Sequence, residues 1–142
     1  PDFGPRQTHT TAGATFVGAR KILIAFNVNL DSDNLGLARK IASTVRESGG
    51  GLVGVKALGL FMNKTRTVQV SMNLVDHEKT GIAAAFEAVR RCAEEAGISV
   101  LGSELVGLAP RAALENVDPQ ILQIESFSAQ HILEHRLAEI DL

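Results

Sequence analysis

Hydrophobic and polar positions alternate from Lys21 to Leu30. Ile22, Ile24, Phe26, Val28 and Leu30 point one way, and Lys21, Leu23, Ala25, Asn27 and Asn29 the other. Period-two alternation predicts a strand with one buried face. Asn is depleted from strands, so Asn27 and Asn29 answer to something other than strand propensity. Thr67 to Leu74 repeats the design, with Val68, Val70, Met72 and Leu74 on one side and Thr67, Gln69, Ser71 and Asn73 on the other. If the two strands are neighbours, their polar sides form one surface.

Between them, Asp31-Ser32-Asp33 offers N-cap side chains. Leu35, Ala38, Ile41, Ala42 and Val45 then recur at helical spacing as far as Ser48, where Gly49-Gly50-Gly51 ends the helix. A strand from Leu52 to about Asn63 follows, and the Asn63-Lys64-Thr65-Arg66 turn makes it the first arm of an antiparallel hairpin. Thr80 is placed to cap a second helix whose stripe is Ile82, Phe86, Val89, Ala93 and Ala96, with Gly97 as its stop. A last strand lies within Ile98 to Leu108, broken by Gly102 and Gly107. Pro110 opens a short helix, Asp118-Pro119 breaks it, and a final helix from about Ser126 is expected to bury Leu133, Leu137 and Ile140.

The resulting order, βαββαβ plus C-terminal helices, predicts a ferredoxin-like α/β (α+β) sandwich with an antiparallel four-stranded sheet. Its first and third strands lie side by side at the centre and its helices cover one face. The expected division is an arm over residues 1–20, a core over 21–108 and C-terminal helices over 109–142. Asn27, Asn29, Gln69, Ser71 and Asn73 then share the uncovered face. Side-chain amides both donate and accept, which suits a planar heteroaromatic ring, a carboxylate or another backbone.

Pro1 to Gly18 is rich in Gly, Pro and Thr and lacks helical period, so it reads as a loop or arm that packs on a partner or cradles a ligand. The chain starts at Pro1 without an initiator Met, and a fragment, a processed product or a trimmed piece is expected.

At 142 residues the chain is one domain in length and needs no disulfide or metal staple. A net charge of −2, with Phe as the only aromatic type, excludes a basic stacking surface, so no nucleic acid is expected as partner. No apolar run reaches the roughly 18 residues of a membrane helix and no signal peptide is recognisable, so no membrane is expected and a cytoplasmic location fits. Cys92 is expected as a buried small hydrophobe. His9 lies in the arm and His77 beside Asp76 and Glu78; His131 and His135 have helical ligand spacing but no third ligand, so no metal is expected. Glu104 is either a site carboxylate or an anchor for the arm. No nucleophile–base pair stands out.

Taken together, Pro1-Asp2-Phe3-Gly4-Pro5, Gly18-Ala19-Arg20, Ile24-Ala25-Phe26-Asn27-Val28-Asn29-Leu30, Gln69-Val70-Ser71-Met72-Asn73-Leu74 and Gly102-Ser103-Glu104-Leu105-Val106-Gly107-Leu108 resemble the C-terminal subdomain of glutamate formiminotransferase. Ile132-Leu133-Glu134-His135-Arg136-Leu137 resembles the family's last helix, so the likeness runs over essentially the whole chain. Thr10 and Ala109 depart from it, standing where relatives often have Pro and Val.

The resemblance implies transfer of a formimino group from N-formimino-L-glutamate to N5 of tetrahydrofolate, a co-substrate, in histidine degradation. It implies a partner N-terminal formiminotransferase subdomain, a homodimer, and a folate tunnel between two subdomain sheets. Carried over, the folate-contacting arm is Pro1, Asp2, Phe3, Gly4, Pro5, Arg6, Gln7, Thr8, His9 and Thr10, with Asn27, Asn29, Gln69, Ser71 and Asn73 as tunnel wall. The family's catalytic His lies in the other subdomain, so no catalytic residue is expected here and the chain alone is expected to be inactive. The alternatives are a non-catalytic folate or amino-acid binding module, regulatory in kind, and a dimerisation domain.

Overall fold

The computed structural model describes residues 2–140. Strand β1 (Ile24–Leu30) leads to helix α1 (Leu35–Val45), the hairpin β2 (Val55–Met62) and β3 (Thr67–Leu74), helix α2 (Ile82–Glu95), strand β4 (Val100–Val106) and a short helix α3 (Leu133–Ala138). The sheet order is β2-β3-β1-β4 with every pair antiparallel. This is the ferredoxin-like sandwich, with β1 and β3 paired at its centre as the element order predicts.

The core follows from the period-two faces. Ile24, Phe26, Val28 and Leu30 of β1 and Val68, Val70, Met72 and Leu74 of β3 are inaccessible or nearly so. They pack under Ala38, Ile41, Ala42 and Val45 of α1 and Ile82, Ala85, Phe86, Val89 and Ala93 of α2. Gly59 sets how close α1 lies to β2: a Cβ there would stand 2.4 Å from the Arg39 backbone nitrogen. Only Gly admits the backbone contact.

Several boundaries differ from the pattern's prediction. The strand starts at Ile24, not Lys21, and Ile22 is exposed. Helix α1 is capped by Asn34, whose side chain accepts the Leu37 N–H at 3.1 Å, rather than by Asp31, Ser32 or Asp33; Ser32 instead accepts the Asn34 N–H. It ends at Val45, and Glu47–Gly49 form a 3₁₀ turn closed by Gly50 at φ 86°. Strand β2 starts at Val55, because Leu52 pairs with Arg46 across the turn. Thr80 does not cap α2, since its hydroxyl donates to the Val53 carbonyl at 2.7 Å. Ala96, placed on the buried stripe, is exposed at the helix end, with Gly97 at φ 71° as its stop.

The largest correction is at the C-terminus. In place of a continuous helix from Ser126, Ile124 bridges to Ser103 of β4 and Ile132 to Ala109 just beyond it, with a 3₁₀ turn at Ala129–His131 between them. The Ser103 N–H donates to the Gln123 carbonyl, the Glu125 N–H to the Ser103 carbonyl, and the Ala109 N–H to the His131 carbonyl. The groups of Gln123, Glu125 and His131 taken by these bonds are not free to build a continuous helix, and only a single 3₁₀ turn forms at Ala129–His131. Helix α3 starts only at Leu133, and Leu137 and Ile140 are exposed rather than buried. This return covers the outer edge of β4. Among the described residues no helix is long and apolar enough to cross a membrane.

Candidate functional site on the uncovered sheet face

Residues directly opposite one another in antiparallel strands share a face. Asn27 stands opposite Ser71 on one side and Glu104 on the other. Asn29 stands between Gln69 and Gly102, and Asn73 is opposite Ala25 and Lys56. The structure therefore brings Asn27, Asn29, Gln69, Ser71 and Asn73 together at the middle of the uncovered face.

Gln69 is the keystone of that surface. Only 3% exposed, it donates from Nε2 to Glu104 Oε1 at 2.7 Å and to Asn29 Oδ1 at 2.9 Å. Asn27 Nδ2 reaches the same Glu104 oxygen at 3.4 Å. A buried amide left without partners is costly, so these bonds fix the side chains on the strands that carry them. Glu104, on the edge strand β4, is thus tied to side chains of the central strands and not to the arm. Among the described residues no Lys, Arg or His lies within ion-pair distance of it.

Sequence reasoning missed the surroundings. Glu125 Oε1 lies 2.9 Å from where a Cβ on Gly102 would stand, so a second carboxylate overhangs this face. No local pattern marks it, because it arrives through the C-terminal return. At the opposite edge a groove of about 620 Å³ is lined by Arg46, Ser48, Lys56, Leu58, Ser71 and Asn73 among others. The Arg46 Nε is buried there with no hydrogen-bond partner. Glu47 also lines this groove, and Lys56 on β2 stands three strand spacings, or roughly 14 Å, from the β4 strand that carries Glu104. Leu58, Leu60 and Val106 expose apolar surface on the same side.

The arm lies apart from this network. Asp2, Phe3, Gly4, Pro5, Arg6, Gln7, Thr8, His9 and Thr10 are all exposed; Pro1 lies outside the described residues. A turn is built around His9, whose Nδ1 accepts the Ala12 N–H at 3.1 Å. Where the arm joins the core, Lys21 binds Asp76 and Glu78, which raises the lysine's pKa and lowers that of Asp76. Cys92 is half-buried, and burial pushes its thiol up, away from the reactive thiolate. His131 stacks on Phe127, with ring centroids 5.9 Å apart. Among the described residues no three His, Cys, Asp or Glu side chains converge on a common point.

The model of the formiminotransferase domain matches residues 25–137. The chain belongs to this family. It is 48% identical over 138 residues to a glutamate formimidoyltransferase of Streptococcus pyogenes serotype M1, covering 96% of this chain and 46% of that protein. It is 44% identical over 137 residues to the glutamate formimidoyltransferase of Thermoplasma acidophilum, covering 45% of its length. A formimidoyltransferase-cyclodeaminase of Mus musculus shares 45% over 120 residues, 80% of this chain and 22% of that protein. The chain thus spans about half the length of the first two relatives. The family is one of transferases, and the matched segment holds all of β1, β3 and β4 except Ile24.

Proposed function

We propose that this chain is the folate-binding half of a glutamate formimidoyltransferase, moving a formimino group from N-formimino-L-glutamate to N5 of tetrahydrofolate. The observation that carries the reading is the hydrogen-bonded set of Asn29, Gln69, Glu104 and Asn27 on a sheet face that no helix covers. An idle wet face has no need to bury a glutamine and aim a carboxylate with it.

In this reading the N5 lone pair attacks the formimino carbon and forms a tetrahedral centre. The N5 proton leaves to a base, and the C–N bond to glutamate breaks as that nitrogen takes up a proton. The groups of this chain bind, orient and donate to nitrogen and oxygen atoms. The base, a His suited to work near neutral pH, comes from the other half of the unit. With the ring over Asn27 and Asn29, Lys56 and Arg46 would be the cations offered to the carboxylates of a folate's glutamate. The exposed Leu58, Leu60 and Val106 suit the apposed sheet of that half, and Pro1 to Thr10 would close on the folate when the two are joined. A dimer packed through the uncovered face would instead use the same leucines.

The test is formimino transfer, followed as formation of the tetrahydrofolate product, by the full-length natural protein. Asn27→Ala and Asn73→Ala are expected to raise KM for tetrahydrofolate while leaving assembly intact. Absence of transfer by the full-length protein, or loss of assembly with unchanged folate binding in Asn27→Ala, overturns the reading.

A further inference from the structure

We propose that Glu104 accepts a planar pair of N–H donors flanking one carbon. That edge is shared by a protonated formimino group, an amidinium, and by the 2-amino-4-oxo ring of a reduced pterin. The inference rests on the formimino-transfer reading and names the substrate edge that the site recognises.

Three observations carry it. The Glu104 carboxylate, on the edge strand β4, is half-buried, yet only neutral amides hold it and no cation lies within ion-pair distance among the described residues. A carboxylate withdrawn from water ordinarily has a charged partner or several donors. Both amides also bond the same oxygen, Oε1, and no hydrogen bond engages Oε2 among the described residues. Gln69 is itself bonded to Asn29, so Oε1 is held in place before any ligand arrives.

With Oε2 open and the long 3.4 Å Asn27 contact the one a ligand would displace from Oε1, both oxygens are offered to a forked donor pair, the geometry in which such groups bond most strongly. Glu125 brings a second carboxylate over Gly102, two residues along β4. Together they make this end of the face an acceptor site that repels anions and favours a donor-rich or cationic edge. The anionic end of the same substrate is left to the Lys56 side.

The test is calorimetric titration of the full-length natural protein and its Glu104→Gln variant with two ligand pairs. One pair is 5-formyl-tetrahydrofolate and its 2-desamino counterpart. The other is N-formimino-L-glutamate and N-formyl-L-glutamate, which lacks the second donor. Glu104→Gln is expected to weaken one parent ligand roughly tenfold or more, the scale of a hydrogen bond to a charged group. The matching analogue, having lost its donor pair, binds wild type and variant alike.

Loss within the folate pair assigns the pterin edge, and loss within the glutamate pair assigns the amidinium. Equal loss of parent and analogue, or no loss of either parent, overturns the proposal. Glu104→Asp, which keeps the charge but withdraws it by one methylene, is expected to lose affinity as well at an unchanged melting temperature. If Glu104→Gln does not fold, the wild-type protein decides: parents that bind no better than their analogues overturn the proposal. Wild type that binds neither parent overturns the formimino-transfer reading itself, a result distinct from a variant that keeps binding.

Discussion

Gln69 hands a hydrogen bond of 2.7 Å to Glu104 across β1, joining two strands that are not neighbours in the sheet. Its position is set by the register, which places both side chains level with the β1 asparagines. Gln69→Leu removes the donor and leaves Glu104 and Asn29 to recruit water at the open face. The unfolding free energy is expected to fall by about 1–3 kcal/mol. Affinity for reduced folate is expected to fall roughly tenfold, because the carboxylate is no longer aimed. Urea unfolding and calorimetry separate the two effects.

Gly59 and Gly102 are both strand glycines, yet they respond oppositely to a methyl group. In Gly59→Ala the new Cβ meets α1 backbone at 2.4 Å, which no rotamer change relieves. A loss of about 1–3 kcal/mol of stability is expected. In Gly102→Ala it meets the far end of the Glu125 side chain, which swings aside, so the stability change is expected to be under about 0.5 kcal/mol. Chemical denaturation of the two variants side by side checks the contrast.

The paired strands, the central place of β1 and the shared amide face are legible in the sequence, because period-two alternation fixes which side chains go together once a strand forms. The ends of elements are not. Thr80 has the chemistry of a helix cap, but its hydroxyl is taken by the Val53 carbonyl, a partner 27 positions away. Leu137 and Ile140 have helical spacing from Leu133, but the preceding residues are held by the edge of β4 and the helix starts too late to bury them. Glu104 lies on the legible face through its alternation with Gly102 and Val106. Glu125 and Arg46 join the site only through loops whose paths are set by tertiary hydrogen bonds.

Ser103 fastens the C-terminal return. Fully buried, its hydroxyl donates to the Leu122 carbonyl at 2.5 Å, while its backbone bonds Gln123 and Glu125. Ser103→Ala leaves a buried carbonyl unpaired, with an expected cost of about 1–3 kcal/mol. Hydrogen exchange is expected to quicken first at Leu122 to Glu125, ahead of the sheet.

Acid is expected to loosen the tie between the first turn of α3 and Arg111. Glu134 accepts the Arg111 N–H at 2.7 Å, which holds its carboxyl below the ordinary value of 4.5 in the folded chain. A group with a lowered folded pKa contributes fully above its unfolded value and loses that contribution as pH falls through the folded one. Protection of the Arg111 amide, corrected for intrinsic exchange, is therefore expected to be constant above about 4.5 and to decline below it. Glu134→Gln is expected to lack this acid-dependent decline.

The central claim is that the uncovered amide face is where folate lies. The most direct measurement is the change in backbone and side-chain amide NMR signals of the full-length natural protein on titration with 5-formyl-tetrahydrofolate. Saturable shifts centred on Asn27, Asn29, Gln69, Asn73 and Glu104, with α1 and α2 undisturbed, are the predicted result. Shifts confined to the helical face or to the C-terminal return, or no shifts at all, would contradict it.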